Sequence, residues 1–141
     1  KDGTKKMSKS DLSDYSRINL NDTKDKIVNK IKKAKTDALE MPKSENDLNQ
    51  RSEVKNLFGI YASLNNQKIT ELINEFKDKN FSDFKNKLTD LLVEKISPIS
   101  SEISRLQNDA KYIDQILQKG SERANEISSK KVNDMKKILG F

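Results

Sequence analysis

With 141 residues, 33% of them hydrophobic and 35% charged, the chain is long enough for one domain whose modest core must come from a narrow stripe on each element. The absence of cysteine and histidine rules out a disulfide framework and a thiolate nucleophile and removes the commonest general base and metal ligand, which argues against serine-hydrolase, cysteine-protease and zinc chemistry. The net charge of +6 is uneven, +5 over residues 1–43, −2 over 44–110 and +3 over 111–141, so attraction for a polyanion belongs to the two ends.

Thirteen isoleucines and thirteen leucines against four glycines and two prolines favour long amphipathic helices over short strands. No apolar run approaches the roughly 20 residues of a membrane span and no secretory signal opens the chain, so no membrane association and a reducing, cytoplasmic setting are expected. Position 1 is lysine and the chain starts within a loop, which suggests a piece of something larger.

In that loop, Asp2-Gly3 supplies a tight turn, and Thr4-Lys5 leads into Lys6-Met7-Ser8-Lys9-Ser10. Three lysines among small hydroxyl residues suit a polyphosphate: lysine is a flexible point charge, and serine hydroxyls with exposed N–H groups can cover the remaining oxygens. A solvated lysine cluster is the plain alternative, but with this composition the pentamer arises by chance only about once in a thousand such chains.

Next, Asp11-Leu12-Ser13-Asp14 is turn material and Arg17-Ile18-Asn19-Leu20 reads as a short extended piece. Asp22 or Thr23 can cap a helix from Lys24 to Lys35, with Ile27, Ile31 and Ala34 on one face and lysines on the other. Residues 36–51 are polar and aperiodic, with Pro42, and read as a linker or an exposed excursion. Ser52 can then cap a helix bearing Val54, Leu57, Phe58, Tyr61 and Leu64, ended by Asn65-Asn66. A further helix from about Gln67 to Lys77 buries Ile69, Leu72, Ile73 and Phe76.

Ser82 is the expected cap of the longest element, whose stripe runs Leu88, Leu91, Leu92, Ile96, Ile99, Ile103, Leu106. Pro98 predicts a kink and not an end, because the stripe keeps phase across it. After a break at Asn108-Asp109 comes a last helix with Ile113, Leu117, Gly120, Ala124 and Ile127 in register. So short a connection predicts an antiparallel pair, with Gly120 and Ala124 on the contact side. Phe58, Tyr61, Phe76, Phe81 and Phe84 read as packing residues, although one exposed tyrosine could stack on a base. Arginine is rare, four against 24 lysines, and its planar fork suits phosphates and bases, so Arg105 and Arg123 are candidates for nucleic-acid contact; a structural role at a helix surface is the plainer alternative.

The pentamer resembles the second signature loop of class I aminoacyl-tRNA synthetases, and the longer run from Asp2 to Ser10 resembles the form that loop takes in bacterial tryptophanyl-tRNA synthetases. The likeness continues in order through Lys32-Lys33-Ala34-Lys35-Thr36-Asp37, Leu57-Phe58-Gly59-Ile60-Tyr61, Phe81-Ser82-Asp83-Phe84-Lys85, Ser97-Pro98-Ile99 and Gly120-Ser121-Glu122-Arg123-Ala124, and so covers essentially the whole chain. Ser82 departs from the family's small or glycine residue, and Leu12 from its proline. The family's first signature, of His-Ile-Gly-His type, has no counterpart here and belongs to its nucleotide-binding half.

The resemblance implies an all-α fold, a helical bundle with a long kinked antiparallel helix pair, preceded by a mobile loop from the edge of a missing Rossmann-like domain. Residues 1–20 would be the catalytic-domain tail, 21–110 a helical anticodon-binding domain, and 111–141 a C-terminal helix packing on the bundle and on the missing domain. It implies Lys6 and Lys9 as catalytic phosphate contacts, with Lys5, Met7, Ser8 and Ser10 completing the ATP-binding loop. Arg105 and Arg123 become candidates for tRNA contact. ATP with Mg2+, L-tryptophan and tRNA(Trp) are the implied ligands, with no metal bound by this piece, and a homodimer would form through the missing half. Two rivals are a tyrosyl-tRNA synthetase, which shares the architecture, and a non-catalytic helical RNA-binding module in which the pentamer is accidental.

Overall fold

A computed structural model describes Thr4, Ser8 and residues 10–140. Among these residues the chain is all-α: a 3-10 turn at Asp14–Ser16 precedes six helices, and no strand is present. The chain divides into two compact units, Lys1–Ser101 and Glu102–Phe141.

The first unit holds the core. Helix α1, Lys24–Lys32, is capped by Thr23, whose hydroxyl accepts the Lys26 N–H at 3.4 Å. It presents Ile27 and Ile31 to the core, with Ala34 packed beside them, as the spacing predicts. The helix stops short of the expected Lys35 because the Ala34 N–H closes back on the Ile31 carbonyl and the Ala34 carbonyl is taken by the Lys85 ammonium at 2.7 Å.

The stretch expected to be a linker is instead part of the core. A short helix α2, Glu45–Asn49, forms where the Ser44 hydroxyl accepts the Asp47 N–H at 3.2 Å and the Asp47 carboxylate accepts the Lys43 N–H at 3.2 Å. Met41, Pro42 and Leu48 are buried around it.

Helix α3, Ser52–Asn65, buries Val54, Leu57, Phe58, Tyr61 and Ala62. It ends at Asn66 in the left-handed conformation, φ 50°, which asparagine tolerates better than most residues. Helix α4, Ile69–Phe76, contributes Leu72, Ile73 and Phe76. Helix α5, Phe81–Gln107, continues through Pro98 without ending, as expected. Its cap is Asn80, whose side-chain oxygen accepts the Asp83 N–H at 2.9 Å, and not Ser82, which lies one residue inside the helix.

Four of the five expected packing aromatics meet at Phe84. Phe58 stacks on it at 4.5 Å between ring centroids, Phe76 meets it edge-on at 5.1 Å, and Tyr61 lies at 5.9 Å. Each such ring contributes roughly 1.5–3 kcal/mol by burial, and favourable aromatic geometry adds to that. The expected stripe of α5 is used over its first half, where Leu88, Leu92 and Ile96 are buried, whereas Ile99 is exposed.

The second unit consists of the end of α5 and helix α6, Ala110–Leu139. Asp109 caps α6 by accepting the Tyr112 N–H at 3.0 Å, and Gly140 closes it at φ 80°, where a side chain would be strained. No residue of α6 is buried, and Leu117 and Ile127 are each 64% exposed. A Cβ added at Gly120 would meet no atom within 4 Å. Among the described residues no helix is long and apolar enough to cross a membrane.

Candidate functional site

The candidate loop is only partly within the described residues. Lys5, Lys6, Met7 and Lys9 lie outside them; Ser8 and Ser10 are inside, both exposed. Their hydroxyls are hydrogen-bonded to each other at 3.0 Å, so the two side chains expected to hold the loop are brought together. The Ser8 carbonyl accepts the Asp11 N–H at 3.3 Å, which starts the turn that the sequence indicates here.

Downstream, this turn is tied to α1 by charge. The Asp11 side chain accepts the Ser13 N–H at 2.8 Å, and its carbonyl accepts from Arg17 Nη1 at 3.1 Å. Arg17 Nη2 lies 3.4 Å from Asp14 Oδ1, and Asp14 Oδ2 lies 2.8 Å from Lys30 Nζ. Lys30 also binds Asp22 at 2.5 Å, with both side chains almost fully buried, at 6% and 3% exposure. Asn19 adds its side-chain amide to Asp14 at 3.1 Å and its backbone N–H to Asp22 at 2.9 Å. Two cations and two carboxylates thus form a locally neutral cluster in which a charge can be buried without being left unpaired.

The proton equilibria follow this geometry. The Lys30 hydrogen bond, with help from Asn19, holds Asp14 below the ordinary carboxylate value. Burial pushes Asp22 upward, but the hydrogen bonds from Lys30 and the Asn19 N–H outweigh it, and the carboxyl ends below its ordinary value. Burial likewise pushes Lys30 downward, and its two carboxylate partners more than reverse this.

A second tether lies alongside: Lys33 Nζ donates to the Tyr15 hydroxyl at 3.0 Å and stands 4.7 Å from the ring centroid. Tyr15 is 48% exposed, so an aromatic face remains open beside this segment. Tyr61 is buried in the core and is not available to a base.

The lysines of α1 are not all on the outer face, as the sequence pattern suggests. Lys30 follows Ile27 by three residues and precedes Ile31 by one, which turns it inward. That spacing, with Asp14 and Asp22 upstream as potential partners, is the signal by which Lys30 could have been found.

Arg105 and Arg123 are not brought together by any contact among the described residues. Arg105, in the last turn of α5, makes a two-armed ion pair with Glu102, at 2.8 Å through Nε and 2.7 Å through Nη2. Arg123 lies exposed on α6 with no ionic partner among the described residues. Arg105 already has the helix-surface role weighed from sequence, while Arg123 is open to an external anion.

A family model described as tRNA synthetases class I (W and Y) matches residues 1–96. The chain is 49% identical, over all of its 141 residues, to a tryptophan–tRNA ligase of Rhizobium meliloti (strain 1021) and covers 40% of that relative. It is 48% identical to a tryptophan–tRNA ligase of Agrobacterium fabrum (strain C58 / ATCC 33970) over the same span, again 40% of the relative. With a tryptophan–tRNA ligase of Rickettsia felis (strain ATCC VR-1525 / URRWXCal2) the identity is 43% across all 141 residues, which are 42% of that relative. The chain therefore spans about two fifths of the length of these curated relatives.

Proposed function

Because the chain belongs to the class I tRNA synthetases of the tryptophan and tyrosine type, we propose that it is part of a tryptophan–tRNA ligase and supplies that enzyme's pyrophosphate-contacting loop and its helical tRNA-binding body. The observation that carries this reading is the Lys6-Met7-Ser8-Lys9-Ser10 loop, standing in a chain aligned from end to end with relatives named tryptophan–tRNA ligase.

In the proposed reaction the tryptophan carboxylate attacks the α-phosphate of Mg·ATP, giving tryptophanyl-adenylate and pyrophosphate. The 2′-hydroxyl of the terminal adenosine of tRNA(Trp) then attacks the carbonyl of the adenylate, forming the tryptophanyl ester as the acyl–phosphate bond breaks and AMP leaves. No covalent enzyme intermediate forms, so the protein contributes positioning and charge stabilisation. Lys6 and Lys9 contact the pyrophosphate as negative charge builds on it, an interaction stronger in the transition state than in the ground state and therefore able to raise the rate. Lys5 and Met7 complete the ATP-binding loop, and Ser8 and Ser10 hold it, a role supported by the hydrogen bond between their hydroxyls. Mg2+ enters as part of the nucleotide substrate.

In this reading residues 1–20 are the tail of the catalytic domain, 21–110 the anticodon-binding body and 111–141 a helix that also packs on the catalytic domain. Arg123 is the better of the two arginine candidates for tRNA contact, because Arg105 is engaged by Glu102. The enzyme is a cytoplasmic homodimer joined through its nucleotide-binding halves.

The test is amino-acid-dependent ATP–pyrophosphate exchange by the full-length protein. Tryptophan should support exchange and tyrosine should not; exchange with tyrosine alone would assign the other branch of the family. Lys9→Ala should slow exchange by about two orders of magnitude or more and leave tRNA affinity within about twofold. Unchanged exchange in that variant would remove the catalytic assignment of the loop.

A further inference from the structure

The reading above assigns roles within the loop itself and none to the charged cluster behind it. We infer that Lys30 is the fixed end of a polar chain, Lys30–Asp14–Arg17–Asp11–Ser8, that positions the serine pair of the loop for adenylate formation. The inference rests on the proposed ligase reading.

Each link of the chain is a contact in the structure. Lys30 Nζ to Asp14 is 2.8 Å, Asp14 to Arg17 is 3.4 Å, Arg17 to the Asp11 carbonyl is 3.1 Å, and the Asp11 N–H to the Ser8 carbonyl is 3.3 Å. The two ends differ in kind. Ser8 and Ser10 are exposed, whereas Lys30 is almost fully buried on a helix whose apolar neighbours Ile27 and Ile31 belong to the core. A lysine ammonium is strongly hydrated in water, and burying one is expensive unless each hydrogen finds an acceptor. Here the deeper acceptor, Asp22, holds the ammonium in place, and the outer one, Asp14, extends its reach toward the surface.

Apolar residues at positions 22 and 30 together would satisfy the core at least as well, since replacing a whole buried ion pair by hydrophobic groups is often neutral or stabilising. What an ion pair adds is direction. The ammonium fixes one carboxylate oxygen of Asp14 and leaves the other facing Arg17, which spans from there to the backbone of the turn beginning at Ser8. Arg17 suits this role because its planar fork engages two acceptors at once, one with each terminal nitrogen. Lys30, Asp14 and Arg17 are thus positioning residues: none needs to touch the nucleotide, and each acts through the next.

Truncating Lys30 itself would leave the buried Asp22 carboxylate without a counter-charge, so the test rests on the outer links, where folding is safe. Asp14 is 50% exposed and Arg17 18%, and neither belongs to the apolar core. In the full-length protein, Asp14→Asn and Arg17→Met should each lower kcat of tryptophan-dependent pyrophosphate exchange about tenfold, with KM for tryptophan within about twofold and the thermal midpoint nearly unchanged. The double variant should be no slower than about tenfold, because either substitution already breaks the chain. Exchange within about twofold of the unsubstituted protein in both single variants, or a double variant slowed about a hundredfold as two independent effects, would overturn the inference. If the unsubstituted full-length protein shows no tryptophan-dependent exchange, or if Lys9→Ala leaves exchange unchanged, it is the ligase reading that fails. Normal exchange with a strong Lys9→Ala defect, together with silent Asp14→Asn and Arg17→Met, defeats the positioning chain alone.

Discussion

Arg51 carries more of the first unit than its place in a polar stretch suggests. Its Nε and Nη2 grip the two oxygens of Asp37 at 2.8 and 2.6 Å, and Nη1 donates to the Glu40 carbonyl at 2.9 Å. The guanidinium also stands 5.6 Å from the centroid of the Phe81 ring. With the Arg51 side chain 7% exposed and that of Asp37 34%, this is a half-buried, two-armed charge pair that pins the segment before α2 against the start of α5. Lysine would keep the charge and lose the fork, so Arg51→Lys should destabilise the chain by about 1–2 kcal/mol, seen as a lower urea midpoint at unchanged slope. The Arg51 hydrogen bonds, against the opposing effect of burial, hold Asp37 below its ordinary value. Its contribution is therefore present above the unfolded carboxyl value and lost as the pH falls through the folded one, and the gap between Arg51→Lys and the parent should narrow below about pH 4. A gap that stays constant into acid would show that the pair contributes through packing alone. None of this is legible in the chain order of residues 36–51, because a charge pair 14 residues apart leaves no periodic trace.

Helices are legible in this chain where one apolar face repeats for about two turns or more. That is why α3, α4, α5 and α6 fall close to where the spacing places them, and why Pro98 interrupts no element: the hydrogen bond it removes is one among many along α5. Helix α2 is too short to show a period, and its two anchoring apolar residues, Met41 and Leu48, lie on either side of the cap. What periodicity cannot show is whether a stripe is covered. Helix α6 has the same kind of stripe as α5, yet none of its residues is fully buried, and a Cβ added at Gly120, read from sequence as a contact residue, would meet no atom within 4 Å. Gly120→Ala should then act through helix propensity alone, stabilising α6 by about 0.5–1 kcal/mol and slowing hydrogen exchange of its amides roughly two- to fivefold. Faster exchange in the alanine variant would mean that another segment approaches Gly120 closely in solution, as the sequence reading supposes.

The distribution of charge over the whole molecule sets what the chain can do with a polyanion. Its negative middle coincides with most of the core-forming helices, while its positive ends contain the candidate loop with α1 and the exposed face of α6. Lysines on those ends attract any RNA, and such binding falls steeply with salt, the logarithm of affinity dropping by roughly 0.7 to 0.9 per phosphate neutralised for each tenfold rise in salt. Recognition of a particular anticodon has a different signature, because hydrogen bonds and stacking to bases are not relieved by counterions and each wrong base costs about 1–3 kcal/mol. Under the proposed function the chain should bind a tRNA(Trp) transcript about five- to a hundredfold more tightly than the same transcript with one anticodon base changed, with a similar ratio at about 50 and about 200 mM salt while both absolute affinities fall. Equal affinities with equal salt slopes would mean that the positive ends give attraction without reading, and that anticodon recognition requires parts of the enzyme outside these 141 residues. Arg123→Met separates the two contributions further. If Arg123 meets only a phosphate, the variant should weaken both transcripts equally and reduce the salt slope by about one; if it reads a base, the ratio itself should shrink.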